Sequence, residues 1–321
     1  DQNNRDFTAD ELNGQWAVEN LQKIASQSNA KPFFMGVGFI RPHTPLIVPQ
    51  RFFDRFPLNS IQLPVIRPDD VNDTHALAIR GIPEGVDGSR TADMGTRLFQ
   101  NLVSSYDSQA DALRRFIQAY LASVASVDEE IGKILAALEK TGLADNTIVV
   151  LTSDHGWGMG EKDYLYKNSL WQESTRVPFA LRAPGVSEAG GSCDRPVSLV
   201  DLYPTLIDLT GLKSVNEGLE GTSFKPLLED PRLKWKSAAF SKYGPARSLV
   251  TNQFNYAEFN DGQKMLFDLK ADPDENVNLA ASPEHKMTLN RCINVKAAST
   301  TAARTTTAAT AAATAAAAAA A

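Results

Sequence analysis

Cysteine is nearly absent from this chain, with only Cys193 and Cys292 among 321 residues. The two sit in unlike contexts without metal-type spacing, which argues against a cysteine-based metal cluster and allows one disulfide or none. An excess of basic charge is lacking too. Against 38 Asp and Glu stand 32 Lys and Arg, a formal charge of −6. That balance gives no support to nucleic-acid binding or to attraction to an anionic membrane. No apolar run approaches the length of a membrane span. Residues 297–321 are almost wholly Ala and Thr, with one Arg304; no core can be built from them, so they are set aside as a low-complexity tail.

What is present suits one large α/β domain with a smaller appendage. The chain is organised around Thr147-Ile-Val-Val-Leu-Thr-Ser-Asp-His-Gly156. A short apolar run bounded by turn residues predicts a strand buried on both faces of a parallel sheet. At its end Asp154 and His155 emerge together, where open α/β sheets bind metals or anionic substrates. The same pair also suits a plain turn in which Asp154 caps the next segment and His155 is exposed.

Read in order, the chain predicts a helix from Asp10, as its cap, to about Ser28. Lys31 to Ile40 reads as a second buried strand, closing in Arg41-Pro-His-Thr-Pro45, where two prolines stiffen the mount of His43. A helix followed by a strand is the βαβ rhythm without its first strand, so the expectation is a chain that begins mid-domain. Residues 46–107 predict a long irregular excursion. Within it Asp69-Asp70 reads as a solvated turn and His75 as a loop residue. A continuous stripe from Leu113 to Leu138 predicts a core helix over about 111–140, with Gly142 as its stop. Beyond a loop over 157–174, Arg176–Arg182 reads as a strand and Asp201–Gly211 as a short helix with Pro204 in its first turn. Near 237–242, 248–251, 256–259 and 265–269 the period falls to two, predicting a small antiparallel sheet. The resulting domains are a main α/β domain over 1–212, a smaller α+β subdomain over 213–296, and the tail.

Several stretches, taken in order, resemble the sulfatase family of the alkaline-phosphatase-like superfamily, and most closely its iduronate-2-sulfatase-like branch. They are Lys31-Pro-Phe-Phe with Gly38-Phe-Ile-Arg-Pro-His43, Tyr120-Leu-Ala-Ser-Val-Ala-Ser-Val-Asp128, Thr152-Ser-Asp-His-Gly-Trp-Gly-Met-Gly-Glu161, Arg176-Val-Pro178, Asp201-Leu-Tyr-Pro-Thr205 and Leu266-Phe-Asp-Leu-Lys-Ala-Asp-Pro-Asp-Glu-Asn276. The resemblance implies an alkaline-phosphatase-like sandwich: a mostly parallel central sheet flanked by helices, with the antiparallel subdomain appended. It implies a sulfuric ester hydrolase acting on a sulfated saccharide. Asp154 and His155 would be ligands of calcium, ahead of magnesium, since calcium takes oxygen donors in irregular shells. Lys167 falls where the family carries a lysine that pairs with a sulfate oxygen. His43 matches the histidine that protonates the leaving alcohol. Arg41 and Trp157 would line the substrate pocket, one pairing with a carboxylate and the other stacking on a sugar.

The departure from the pattern is equally plain. The family nucleophile is a formylglycine made in a Cys-x-Pro/Ala-Ser-Arg motif, completed by an earlier Asp-Asp pair. Cys193, Cys292 and Ser89-Arg90 all lack that context, so the chain carries no nucleophile. The resemblance therefore implies that it is the C-terminal part of an enzyme whose N-terminal fragment supplies formylglycine and the other aspartates. Two alternatives remain beside this: a phosphonate monoester or phosphodiester hydrolase of the same superfamily, and a catalytically dead anion-binding relative. Sulfated saccharides occur outside the cytosol, which implies an exported or lysosomal location.

Overall fold

The computed structural model describes residues 5–29, 31–68, 70–75, 94–213, 218–235, 238–244 and 246–294. Asp69, Ser89-Arg90 and the 297–321 tail lie outside them. The chain divides into two compact units, Asp1–Val65 with Phe99–Ile148, and Ile66–Leu98 with Val149–Ala321. It is mixed α/β, with six strands among the described residues.

In the first unit α1 (Ala9–Ala25) is capped by Thr8, not Asp10. The Thr8 hydroxyl accepts from Glu11 N at 3.2 Å, while the Glu11 carboxylate accepts from Thr8 N at 2.7 Å. These two bonds satisfy donors that the helix start leaves open. Asp10, one turn inside, is buried and accepts from the backbone N–H of Ile40 (2.6 Å) and Arg41 (3.1 Å). A single turn, α2 (Gln50–Phe53), sets Phe52 against Ala122 and Ala125. The expected irregular excursion contains another helix, α3 (Met94–Ser104), whose Leu98-Phe99 and Leu102-Val103 recur at helical spacing. The long α4 (Gln109–Lys140) starts at the Ser108 cap and ends before Gly142, which takes φ 73°. Gly14 of α1 lies against the buried Glu130 of α4, and a Cβ there would collide with that carboxylate.

The strand expected over 31–40 does not form. This segment has no regular secondary structure and joins no ladder among the described residues, and Phe34 is 90% exposed. Apolar content alone marked it as a strand, and a strand needs a hydrogen-bonding neighbour, which it lacks among the described residues.

In the second unit β1 (Val149–Thr152) reaches as far as the Asp-His pair. After α5 (Gln172–Thr175), β2 (Phe179–Arg182) returns beside it, antiparallel, with Val149 opposite Arg182 and Thr152 opposite Phe179. The expected parallel central sheet is therefore not found among the described residues. The connection between β1 and β2 holds no crossover helix of the length a parallel pair requires, and Leu151 is 42% exposed. Next come α6 (Leu202–Thr210), stopped by Gly211 at φ 67°, and α7 (Lys225–Glu229).

The small antiparallel sheet forms as expected: β3 (Ala239–Tyr243), β4 (Ala246–Val250), β5 (Phe254–Glu258) and β6 (Lys264–Asp268), in that order. Both faces are covered. Ala246, Ala257, Met265 and Phe267 pack on Leu170 and Trp171. On the other side Leu249, Tyr256 and Leu266 pack on Cys292 and Ile293, part of a helical stretch over 286–294. Alternation in this sheet thus separates two buried faces rather than core from solvent. Both cysteines are free.

Candidate active site

Four of the six residues singled out in the sequence lie in the second unit, at and beyond the end of β1. There Ser153 Oγ donates to His155 O at 2.9 Å, fixing the turn that presents Asp154 and His155. Gly156 is required at the next position. A Cβ would collide with the carbonyl oxygen of Glu173, and Gly156 N donates to Ser174 O at 2.8 Å. The turn is thereby held against α5.

The partners of His155 fix its tautomer. Nδ1 lies 2.8 Å from Gly156 O, which can only accept, so Nδ1 carries the proton. Nε2 lies 2.8 Å from Lys167 Nζ, and an ammonium can only donate, so Nε2 offers its lone pair. A neutral imidazole with its second nitrogen anchored to a carbonyl is the form that binds metals. Asp154 Oδ2 stands 3.6 Å from that Nε2, on an 85% exposed side chain.

Lys167 returns to His155 because the intervening loop folds back on itself. Gly158 N donates to Tyr166 O at 2.9 Å and Gly160 N to Tyr164 O at 3.0 Å. Trp157 is 8% exposed and meets the Tyr166 ring edge-on at 5.4 Å. Its indole is packed against that ring rather than presented as an open stacking face.

Arg41 and His43 belong to the first unit. Asp10 holds the backbone of Arg41, whose Nε donates to Ile47 O at 3.3 Å. His43 is exposed, and its Nδ1 donates to Thr44 O at 2.7 Å, leaving Nε2 as the acceptor nitrogen.

The donor set suits a divalent cation in part. Ligands about 2.4 Å from calcium lie within about 4.8 Å of one another, so the 3.6 Å between Asp154 Oδ2 and His155 Nε2 is a workable spacing. No group of three His, Cys, Asp or Glu able to hold a metal ion occurs among the described residues, and calcium takes six to eight donors. Of the described residues Asp154 offers one such donor directly, and His155 Nε2 offers a second only where its lone pair turns from Lys167 Nζ to the ion.

A second polar cluster lies beneath the loop. Lys162 and Asp70 are both buried and form an ion pair at 3.1 Å; Asp70 is not in a solvated turn. Lys162 Nζ also donates to Asp274 O at 3.1 Å and lies 4.6 Å above the Trp171 ring. Lys162 and Asp163 take φ of 57° and 53°, which costs a non-glycine residue about 1–3 kcal/mol each. Fully buried Glu275 accepts from Gln172 N at 2.8 Å and from Asn255 Nδ2. Loss of water, then the charge of Glu173, pushes the Glu275 carboxyl up to about 8. Half-buried Glu173 is pushed up to about 7, again mainly by burial. His75 is also buried, 2.7 Å from Asp261 and stacked on Phe259. In sequence Asp70 reads only as a turn residue and His75 only as a loop residue, and nothing there joins them to Lys162 or Glu275. The contacts Lys162–Asp70, Lys162–Asp274, Gln172–Glu275 and His75–Asp261 span 92 to 186 positions.

The family described as Sulfatase matches residues 2–212, and that described as N-sulphoglucosamine sulphohydrolase, C-terminal, matches residues 160–298. A "Sulfatase" of Formosa agariphila is 34% identical over 83% of this chain and 48% of its own length. A solved structure described as being in complex with its substrate D-glucosamine-2-N,6-O-disulfate superposes with a TM-score of 0.71. It is 22% identical over 94% of this chain and 71% of that one. The phosphonate monoester hydrolase of Silicibacter pomeroyi superposes with a TM-score of 0.72, at 24% identity over 88% of this chain and 58% of that one. At such identities the two structures attest the fold. The chain spans about half the length of the curated relatives it matches, and none of these matches singles out the iduronate-2-sulfatase-like branch.

Proposed function

Because the chain belongs to the sulfatase family, we propose that it forms the C-terminal part of a hydrolase that cleaves a sulfate ester of a saccharide. The observation that carries this reading is the meeting of His155 Nε2 and Lys167 Nζ at 2.8 Å beside the Asp154 carboxylate. An ammonium next to a metal-type donor pair provides positive charge where a sulfate anion would be bound. The solved relative whose substrate is a glucosamine disulfate supports a sulfated saccharide.

In this proposal Lys167 donates to a sulfate oxygen and stabilises the charge that grows as the ester bond breaks. Over the whole reaction one water is consumed: as the S–O ester bond breaks, the water oxygen ends on sulfate, one proton ends on the departing alcohol and the other is released with the sulfate product. His43 Nε2, once protonated, returns a proton to the departing alkoxide. Arg41 pairs with an acidic group on the substrate, and Trp157 backs the pocket wall through Tyr166. A calcium ion held by Asp154 and His155 would supply further positive charge at sulfate when bound. The nucleophile, a formylglycine, and the remaining metal ligands are proposed to come from an N-terminal portion of the same protein. Support for such a partner is the 31–40 segment, whose Phe34 and Ile40 are exposed. A sulfated-saccharide substrate points to an exported or lysosomal protein. No helix among the described residues is long and apolar enough to cross a membrane.

The test is a side-by-side assay of the full-length protein on aryl sulfate, sulfated glucosamine and aryl phosphonate. Sulfate esters should turn over faster; faster phosphonate hydrolysis reverses the assignment, and no turnover favours an anion-binding relative. In the active protein Lys167→Ala should lower kcat by about 10²–10³-fold.

A further inference from the structure

We propose that Asp70 and Lys162 are positioning residues for the Lys167 ammonium: their buried ion pair sets the path of segment 156–168 and so the place where the amine meets His155. The inference rests on the proposed role of Lys167 at sulfate.

The loop holds two lysines five positions apart, and their surroundings divide the labour. Lys162 Nζ is committed to the Asp70 carboxylate, to Asp274 O and to the face of Trp171. With its side chain 2% exposed, it cannot reach a substrate. Lys167 is the lysine that turns to the Asp-His pair.

The backbone explains how one controls the other. Lys162 and Asp163 both lie in the left-handed region, which non-glycine residues hold only where their surroundings dictate it. The inward pull on the Lys162 side chain is such a constraint. From that bend the returning limb is registered against the outgoing one by Gly160 N to Tyr164 O and Gly158 N to Tyr166 O. Tyr164 packs over Gly95, where a Cβ would collide with its ring, and Leu165 N donates to Gly95 O at 3.2 Å. Lys167 follows directly. Beyond it Trp171 lies between Lys162 and Phe267, so the same ammonium also bears on the chain just past the C-terminal end of the segment.

Asp70 depends on this partner. Its Oδ1 is buried without a hydrogen bond from any described residue, and Oδ2 meets Lys162. Removing the ammonium leaves a carboxylate buried and uncompensated, which forces the bend to move. Removing both charges relieves that stress but does not restore the tether.

Two variants of the full-length protein separate positioning from bulk stability: Lys162→Met alone, and Lys162→Met combined with Asp70→Leu. Hydrogen exchange across 158–168 should rise about tenfold or more in both, with α4 unchanged. On aryl sulfate kcat should fall about a hundredfold, with a smaller change in KM. The double variant should regain thermal stability without regaining kcat. Turnover that recovers together with stability, or exchange at 158–168 that stays at its original rate, overturns the inference. If the unaltered protein turns over no sulfate ester, the functional reading fails, and exchange alone still decides whether the pair sets the segment.

Discussion

The most strongly shifted carboxyl groups of the two units move in opposite directions on folding. In the first unit Arg5 holds Glu11 at about 2 through paired contacts of 2.6 and 2.8 Å. Arg51 does the same for Glu129, also at about 2. These pairs lie on the outside of helices, where each guanidinium stays near water. In the second unit Glu173 and Glu275 sit under the loop and beside the four-stranded sheet, and burial raises them to about 7 and about 8. The difference teaches that helix packing here is trimmed by surface charge, while the candidate active-site loop is fastened by groups taken out of water. Exposed pairs add little and are screened by salt. Buried groups matter more, because a lost partner leaves them uncompensated.

The strongest challenge to this division is Phe267→Ala. Phe267 is 1% exposed and packs against Trp171 at 5.2 Å, so the second unit should lose about 3–5 kcal/mol. Urea unfolding followed residue by residue in NMR spectra should show early loss of β5 and β6, with α4 holding. Equal loss in both units would mean that they unfold as one.

A second effect, on the order of a few kcal/mol, is the pH response. For a raised folded value, the contribution of Glu173 and Glu275 is full below the ordinary 4.5 and is lost as pH rises through about 7 and about 8. For a lowered one, that of Glu11 and Glu129 is present above 4.5 and is lost as pH falls through about 2. The second unit should therefore weaken towards alkali and the first, by less, towards acid. Glu275→Gln should flatten the alkaline limb of the second unit's urea midpoint. A limb that keeps its slope in this variant would remove Glu275 as a cause.

The smallest effect is expected at Thr8→Ala. Losing that cap should cost the first unit about 1 kcal/mol and leave β3–β6 untouched, measured by the same residue-resolved melts.

Periodicity made much of the molecule legible. The stripe from Leu113 to Leu138 announced α4, Gly142 and Gly211 marked helix ends, and the shift to period two announced β3–β6. It failed where pattern and environment part company. The run at 31–40 has a strand's composition but no ladder, and β1 found an antiparallel neighbour. Asp154 and His155 were visible as candidates because they follow β1 within a few residues, whereas Lys167 was marked only by the resemblance to the sulfatase family. Lys162 and Glu275 were invisible, each an ordinary member of a polar stretch, and Asp70 was misread as a solvated turn residue although it is buried on Lys162.

The sequence by itself determined α1, α4, α6, the small sheet and the Asp-His pair at the end of β1, because period, caps and glycines act within a few residues. Only the tertiary structure decided which lysine faces His155 and which is buried on Asp70. Both are the same side chain in the same loop, and what separates them is the partner that distant segments bring to each ammonium.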